Sequence, residues 1–176
     1  FRSPEAVNIN VFATPGIDNF DNTNLIEATI DMIETERADS LYVMTTPDYY
    51  DGAKLTIEDV TDTLADQFDS NYSCTYWPWI QINDAENNML MWVPPTRDVV
   101  RNIALTDNIA FPWFAVAGVQ RGDVDAIQAR KKLTQSDRDA LYENRINPIT
   151  SFTSEGVKIW GNKTLQVKES ALNRIN

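Results

Sequence analysis

The chain has 176 residues, 43% of them hydrophobic, 10% aromatic and 23% charged. That is enough for one ordinary domain with a core, and a charged fraction near the globular norm excludes wholesale disorder. The formal net charge is −11 and unevenly spread: residues 1–70 hold 3 basic and 15 acidic side chains, whereas residues 121–176 hold 10 basic and 7 acidic. This balance argues against a nucleic-acid partner, because phosphate contact needs clustered Lys and Arg. No apolar run approaches the ~18–20 residues of a membrane span, so no membrane partner is expected. No basic start followed by an apolar stretch marks a signal peptide.

In chain order, residues 7–13 (VNINVFA) alternate apolar and polar and predict a strand closed by Thr14-Pro15-Gly16. Residues 17–24 read as an Asp/Asn-rich loop. Leu25, Ile26, Thr29, Ile30 and Ile33 recur at helical spacing, predicting a helix over 24–37. Residues 41–44 (LYVM) predict a buried strand, followed by a loop with Pro47, Asp48, Asp51 and Gly52. Thr56 is placed as a helix N-cap, and Ile57, Val60, Leu64 and Phe68 fall on one face of the helix it opens. A strand over 72–76 follows. Residues 79–82 and 89–93 flank a polar tip and predict a hairpin. Pro94-Pro95-Thr96-Arg97-Asp98 opens a helix with Val99, Val100, Ile103 and Ala104 as its apolar stripe. Further on, 126–133 is predicted as a strand and Ser136-Asp137 as the start of a short helix. Residues 149–152 and 157–160 read as short strands, and 168–176 as a helix. Strands alternate with helices as far as residue 104. That pattern predicts an α/β fold: a mostly parallel mixed sheet with helices on both faces.

Two absences remove much chemistry. The chain has no histidine, which excludes Ser-His-Asp and Cys-His nucleophile arrangements and imidazole metal sites. Its one cysteine, Cys74, lies in an alternating strand pattern and is expected to be a buried, inert thiol. The turn at Thr14-Pro15-Gly16 lacks the Gly-rich loop or P-loop lysine of a nucleotide site. Asp48, Asp51, Glu58 and Asp59 are a local acid cluster without EF-hand spacing, read as a solvated loop and a charged helix start. Trp77, Trp79, Trp92 and Trp113, with Tyr72 and Tyr76, make the middle of the chain aromatic-dense, which suits a core or protein interface better than a stacking platform. Neither a metal, a catalytic group nor a cofactor is expected.

Two stretches carry a more specific pattern. Residues 111–122, FPWFAVAGVQRG, contain Pro112, Trp113, Gly118, Arg121 and Gly122 in the arrangement aPWFApAGxxRG. Residues 156–165, GVKIWGNKTL, contain Trp160 and Gly161 in the arrangement GvvvWGarTL, and Asn147-Pro148-Ile149 stands between the two stretches. In order and spacing these resemble the contractile tail sheath proteins of T-even-type phages, a family that includes tailocin and type VI secretion sheaths. Asn162 departs from the pattern, where many relatives have a small residue. The likeness is specific over 111–176 and looser over 5–104.

The resemblance implies a subtilisin-like α/β topology without catalytic residues. It implies a structural subunit that polymerises with copies of itself as stacked rings around a tail tube and contracts to drive the tube through the host envelope. Expected partners are the sheath itself, the tail tube protein, the baseplate and the tail terminator. The expected location is the virion tail, with assembly in the host cytoplasm. Residues 1–165 would be the sheath core domain and 166–176 the start of a C-terminal domain, in a longer polypeptide. Trp113 and Trp160 are expected to pack in or against the core. An acid-rich first part and a slightly basic last part suit head-to-tail contact between copies. The alternatives are an α/β hydrolase or nucleotide-binding enzyme, and a carbohydrate-binding module.

Overall fold

A computed structural model describes residues 2–65, 67–111, 113–168 and 170–175. The first strand, β1 (Val11–Asp18), pairs in parallel with β2 (Leu41–Thr45). It starts later than the alternation at 7–13 predicts, and it continues through Thr14-Pro15-Gly16 with a break in register between Ala13 and Asp18. Gly16 takes φ +83 there, a conformation that costs glycine little. Residues 7–9 lie outside the strand because their carbonyls have another partner. Arg37, buried among them, donates to the Val7 carbonyl at 2.7 Å and the Ile9 carbonyl at 3.2 Å.

Helix α1 (Thr23–Met32) buries Ile26 and Ile30, and a π-helical turn (Ile33–Arg37) carries Ile33 inward on the same face. After β2 come a small hairpin, β3 (Tyr49–Tyr50) and β4 (Ala53–Lys54), and then α2 (Ile57–Ala65). Thr56 caps α2 as expected. The Asp59 amide donates to the Thr56 hydroxyl at 3.2 Å, and the Thr56 amide donates back to the Asp59 carboxylate at 2.8 Å, the reciprocal arrangement of a capping box. Strand β5 (Ser73–Trp77) pairs in parallel with β2.

The predicted second hairpin forms as β6 (Ile80–Asp84) and β7 (Met89–Val93), antiparallel. Helix α3 (Thr96–Ile109) follows. Of the strand predicted over 126–133, only β8 (Gln128–Ala129) forms, on the far side of β6. Helix α4 (Gln135–Glu143) is capped by Thr134, two residues before the expected start, with Asp137 closing the box. Strands β9 (Asn147–Phe152) and β10 (Gly156–Ile159) form the last hairpin. The helix expected over 168–176 is a single 3-10 turn, Ala171–Asn173. The backbone beyond it turns back on 162–164 instead: the Thr164 amide donates to the Asn173 carbonyl and the Ile175 amide to the Asn162 carbonyl.

The main sheet has the order β1-β2-β5-β9-β10, parallel except for β10. Alternation along each strand feeds two cores. On one face Tyr42, Met44 and Trp77 meet Ile26 and Ile30 of α1, Val60 and Leu64 of α2, and Leu141 of α4. On the other, Val43, Cys74, Tyr76 and Ile149 meet Val99 of α3 and Ile80 of the three-stranded sheet β7-β6-β8. This is the expected α/β class, a mostly parallel mixed sheet with helices on both faces. No helix of the described residues is long and apolar enough to cross a membrane.

Candidate functional site

The two motif stretches converge on the β10 edge of the main sheet. The Gly118 amide donates to the Ile159 carbonyl at 2.8 Å, the Ile159 amide to the Gly122 carbonyl at 2.7 Å, and the Val124 amide to the Val157 carbonyl at 3.0 Å. Segment 118–124 therefore covers an edge that would otherwise present unpaired backbone groups. The approach needs glycine: a Cβ on Gly122 would sit 2.5 Å from the Ile159 carbonyl oxygen. Gly161 is as constrained, since its Cβ would lie 2.6 Å from Asn147 Oδ1 and 2.8 Å from Pro148 Cδ.

Asn147, fully buried at the start of β9, ties the motifs together. Its Nδ2 donates to the Thr75 carbonyl at 3.1 Å and the Lys163 carbonyl at 2.8 Å, and its Oδ1 accepts from the Lys163 amide at 2.7 Å. The Trp160 amide donates to the Pro148 carbonyl at 2.9 Å. Gly118, Gly122, Asn147, Pro148, Trp160 and Gly161 thus form one assembly of backbone contacts. Pro112 lies outside the described residues.

The motif tryptophans are not core residues, contrary to expectation. Trp113 is 61% exposed, its ring stacked on Phe111 with centroids 4.8 Å apart. The chain leaves α3 at Ala110 in an extended conformation, and only at Val116 does it turn back into the core. Trp160 is 40% exposed and sets its ring against the edge of Phe152 at 4.9 Å. Arg121 lies over the Phe114 ring at 4.5 Å, and its buried Nε has no hydrogen-bond partner among the described residues. Leu105, Ile109, Phe111, Trp113, Phe114 and Val119 are all exposed, an apolar surface beside the C-terminal half of α3.

The acid cluster does not assemble. Asp59 is occupied as a helix cap, Asp51 and Glu58 are exposed, and Asp48 is buried. Among the described residues, no group of three or more acidic or cysteine side chains could hold a metal ion. The reading of Asp48 as part of a solvated loop is therefore corrected. Its carboxylate lies 3.5 Å from Arg130 and accepts from the Trp79 amide at 3.3 Å, and burial pushes its pKa up to about 6. Arg130 itself sits over Tyr49 at 4.2 Å and Trp92 at 5.0 Å, joining the loop after β2 to the three-stranded sheet.

No tryptophan platform forms in the middle of the chain. Trp77 is buried, and Trp79 is half-buried and donates to the Thr46 carbonyl at 2.9 Å. The Cys74 thiol is buried, with its pKa pushed up to about 12 by burial, which leaves it inert as expected. Sequence reasoning missed the exposed surface on α3 and the exposed run Met89, Leu90 and Met91 of β7. A signal for the first exists: Leu105 and Ile109, four residues apart, lie off the Val99–Val100–Ile103 stripe and give α3 a second apolar face.

The geometry is that of a surface braced from within. No protein-family model matches the chain. Over 109 residues it is 35% identical to the tail sheath protein of Vibrio phage KVP40, covering 61% of this chain and 15% of that one. Over 94 residues it is 35% identical to the tail sheath protein of Enterobacteria phage T4, covering 53% of this chain and 14% of that one. The match therefore spans well under two thirds of these curated relatives. In fold, it is similar to a chain of the PVC extracellular contractile injection system sheath in the contracted state, with TM-score 0.74 and 19% identity over 98% of this chain and 44% of that one. It is also similar to a chain of the anti-feeding prophage baseplate, with TM-score 0.72 and 17% identity over 97% and 42%. The resemblance to contractile tail sheath proteins read from the motifs is thus shown in sequence, and the fold is that of sheath domains.

Proposed function

We propose that this chain is the α/β core of a contractile tail sheath subunit. Copies stack as rings around a tail tube, and their contraction drives the tube through a host envelope for genome ejection. The carrying observation is the 35% identity to two phage tail sheath proteins, in a chain with the fold of contractile sheaths. A sheath needs a rigid unit whose contacts with neighbours can be exchanged. The covered β10 edge and the buried Asn147 hydrogen bonds supply rigidity, and the uncovered apolar surface on α3 supplies material for contacts.

In this reading the partners are copies of the chain, the tail tube protein, the baseplate and the tail terminator, in a virion tail assembled in the host cytoplasm. Residues 1–165 form the core domain, and 166–176 lead into a C-terminal domain. The role is structural, with no catalytic step and no cofactor. The test is a negative-stain micrograph of the full-length polypeptide. Tubes of stacked rings are expected, and a preparation of small, discrete oligomers would overturn the reading.

A further inference from the structure

The stretch between β2 and α2 is fixed at both ends and exposed between them. At its start the Trp79 indole N–H donates to the Thr46 carbonyl at 2.9 Å and the Trp77 indole N–H to the Pro47 carbonyl at 3.2 Å. At its end Leu55 is buried and Thr56 caps α2. Between these anchors Tyr49, Tyr50, Asp51, Gly52, Ala53 and Lys54 are all exposed. They form the two-residue strands β3 and β4 about a turn with positive φ at Asp51 and Gly52. So short a hairpin is marginal on its own, and its position depends on what it touches. Two ring contacts tie it to the body: Tyr49 lies against the Arg130 guanidinium at 4.2 Å, and Tyr50 meets Phe20 at 5.2 Å.

Asp48 sits at the base of this hairpin, in surroundings that suit an acid better than an anion. Its side chain is 2% exposed. Oδ1 accepts from the Trp79 amide at 3.3 Å, and Oδ2 has no hydrogen-bond partner among the described residues. A carboxylate offers about four acceptor sites, so the closed geometry leaves most of its capacity unused. The charged groups that face it are Arg130, 3.5 Å away, and Lys54 on β4. The Arg130 guanidinium is shared, because it also lies between the rings of Tyr49 at 4.2 Å and Trp92 at 5.0 Å. Burial outweighs both cations and raises the Asp48 pKa to about 6.

We propose that the β3–β4 hairpin is a proton-dependent flap: it lies closed when the Asp48 carboxyl carries a proton, and swings open between the anchors at Pro47 and Leu55 when that carboxyl ionises. Opening lifts Tyr49 from Arg130 and admits water to the carboxylate, and the proton goes to solvent. Linkage gives the sign, because acid favours whichever state holds the proton more tightly. The closed state holds it up to about pH 6, whereas a hydrated aspartate releases it near 3.9. The bias towards closure is therefore fullest below about pH 4 and is lost as pH rises through about 6. The open-to-closed ratio should be about tenfold higher at pH 7.5 than at pH 5. The flap is a property of the chain itself and does not rest on the sheath reading.

The test is hydrogen exchange of the chain, read as protection factors so that the intrinsic pH dependence of exchange is removed. The probe is the Trp79 amide, which donates to Asp48 in the closed state. Its protection should be about tenfold lower at pH 7.5 than at pH 5. Asp48→Asn, which cannot ionise, should protect it equally at both. A second variant, Tyr49→Ala with Tyr50→Ala, removes both ring contacts at exposed positions and leaves Asp48 in place. With the flap released, the midpoint of the Asp48 carboxyl-carbon NMR titration should fall from about 6 towards the ordinary ~4. Wild-type protection that is unchanged or greater at pH 7.5 would overturn the flap, since a firm ion pair with Arg130 would give that result. So would a pH-dependent loss that persists in Asp48→Asn. A midpoint that the double substitution leaves in place would show that Asp48 is buried by the rigid body, and this readout decides the matter even where Asp48→Asn fails to fold.

Discussion

Asp48 shows how far a residue's surroundings set its chemistry. Its folded pKa is about 6, raised by burial against the opposing pull of the Trp79 amide and Arg130. An unfolded aspartate titrates near 3.9. Between about pH 4 and 6 the folded chain therefore binds the extra proton, and stability falls as pH rises through that window. At pH 7 the ionised group costs roughly 3 kcal/mol relative to an unshifted one. Asp48→Asn should lose this dependence, so the wild type should gain stability over the variant on acidification from pH 7 to 4, read by chemical denaturation. A wild type that instead loses stability relative to the variant on acidification would mean that the Arg130 contact outweighs burial. Trp160 makes the complementary point. At 40% exposure, Trp160→Ala should lower stability by about 1–2 kcal/mol, below the ~3–5 of a fully buried aromatic. A loss in the upper range would place the ring deeper than the structure does.

At the scale of elements, the junction of β9 with the segment after β10 depends on what glycine omits. Gly161→Ala brings a Cβ against Asn147 Oδ1, Asn147 Cα and Pro148 Cδ at 2.6–2.8 Å. Two of these neighbours are main-chain or ring atoms that cannot swing aside, so a loss of about 1–3 kcal/mol is expected, as for other overpacked sites. Gly156, at φ +76 with open space around it, provides the control: Gly156→Ala should cost about 1 kcal/mol, from backbone strain alone. Thermal melts that rank the two variants in reverse would show that the junction yields easily. The caps are legible at this scale because they are local. The sequence pattern places Thr56 at the start of α2, whereas at α4 Ser136-Asp137 imitates a cap two residues after the true one at Thr134.

For the whole molecule, the charge block at 121–176 overstates the free cations available to a neighbour. Arg130 is engaged by Asp48, Lys158 by Asp123, and Arg145 is buried and donates to the Phe68 and Leu165 carbonyls. Head-to-tail contact between an acidic and a basic part of the chain therefore has fewer free charges than a count of residues suggests. Chemistry is a property of the whole chain too. With no histidine in the sequence, no serine is expected to be an activated nucleophile. A broad-spectrum fluorophosphonate probe should leave the chain unlabelled, and stoichiometric labelling of one serine would overturn the structural role.

Periodicity in the sequence determined the longer strands and helices between residues 41 and 109, though not the two-residue strands β3 and β4, which form where the sequence reads as a loop, and it determined the alternation that builds a parallel sheet and the inert state of Cys74. These follow from neighbours along the chain or from side-chain type alone. The motif spacing pointed to the sheath likeness without showing what each residue does. Only the tertiary structure decided that Gly122, Asn147 and Gly161 lock two distant segments together, that Asp48 is buried, and that Trp113 and Trp160 face outward. Each of those depends on groups far apart in sequence: the Ile159 carbonyl against Gly122, Arg130 against Asp48, Phe152 against Trp160. Local pattern carries no information about such distances, because burial is set by what packs from elsewhere in the fold.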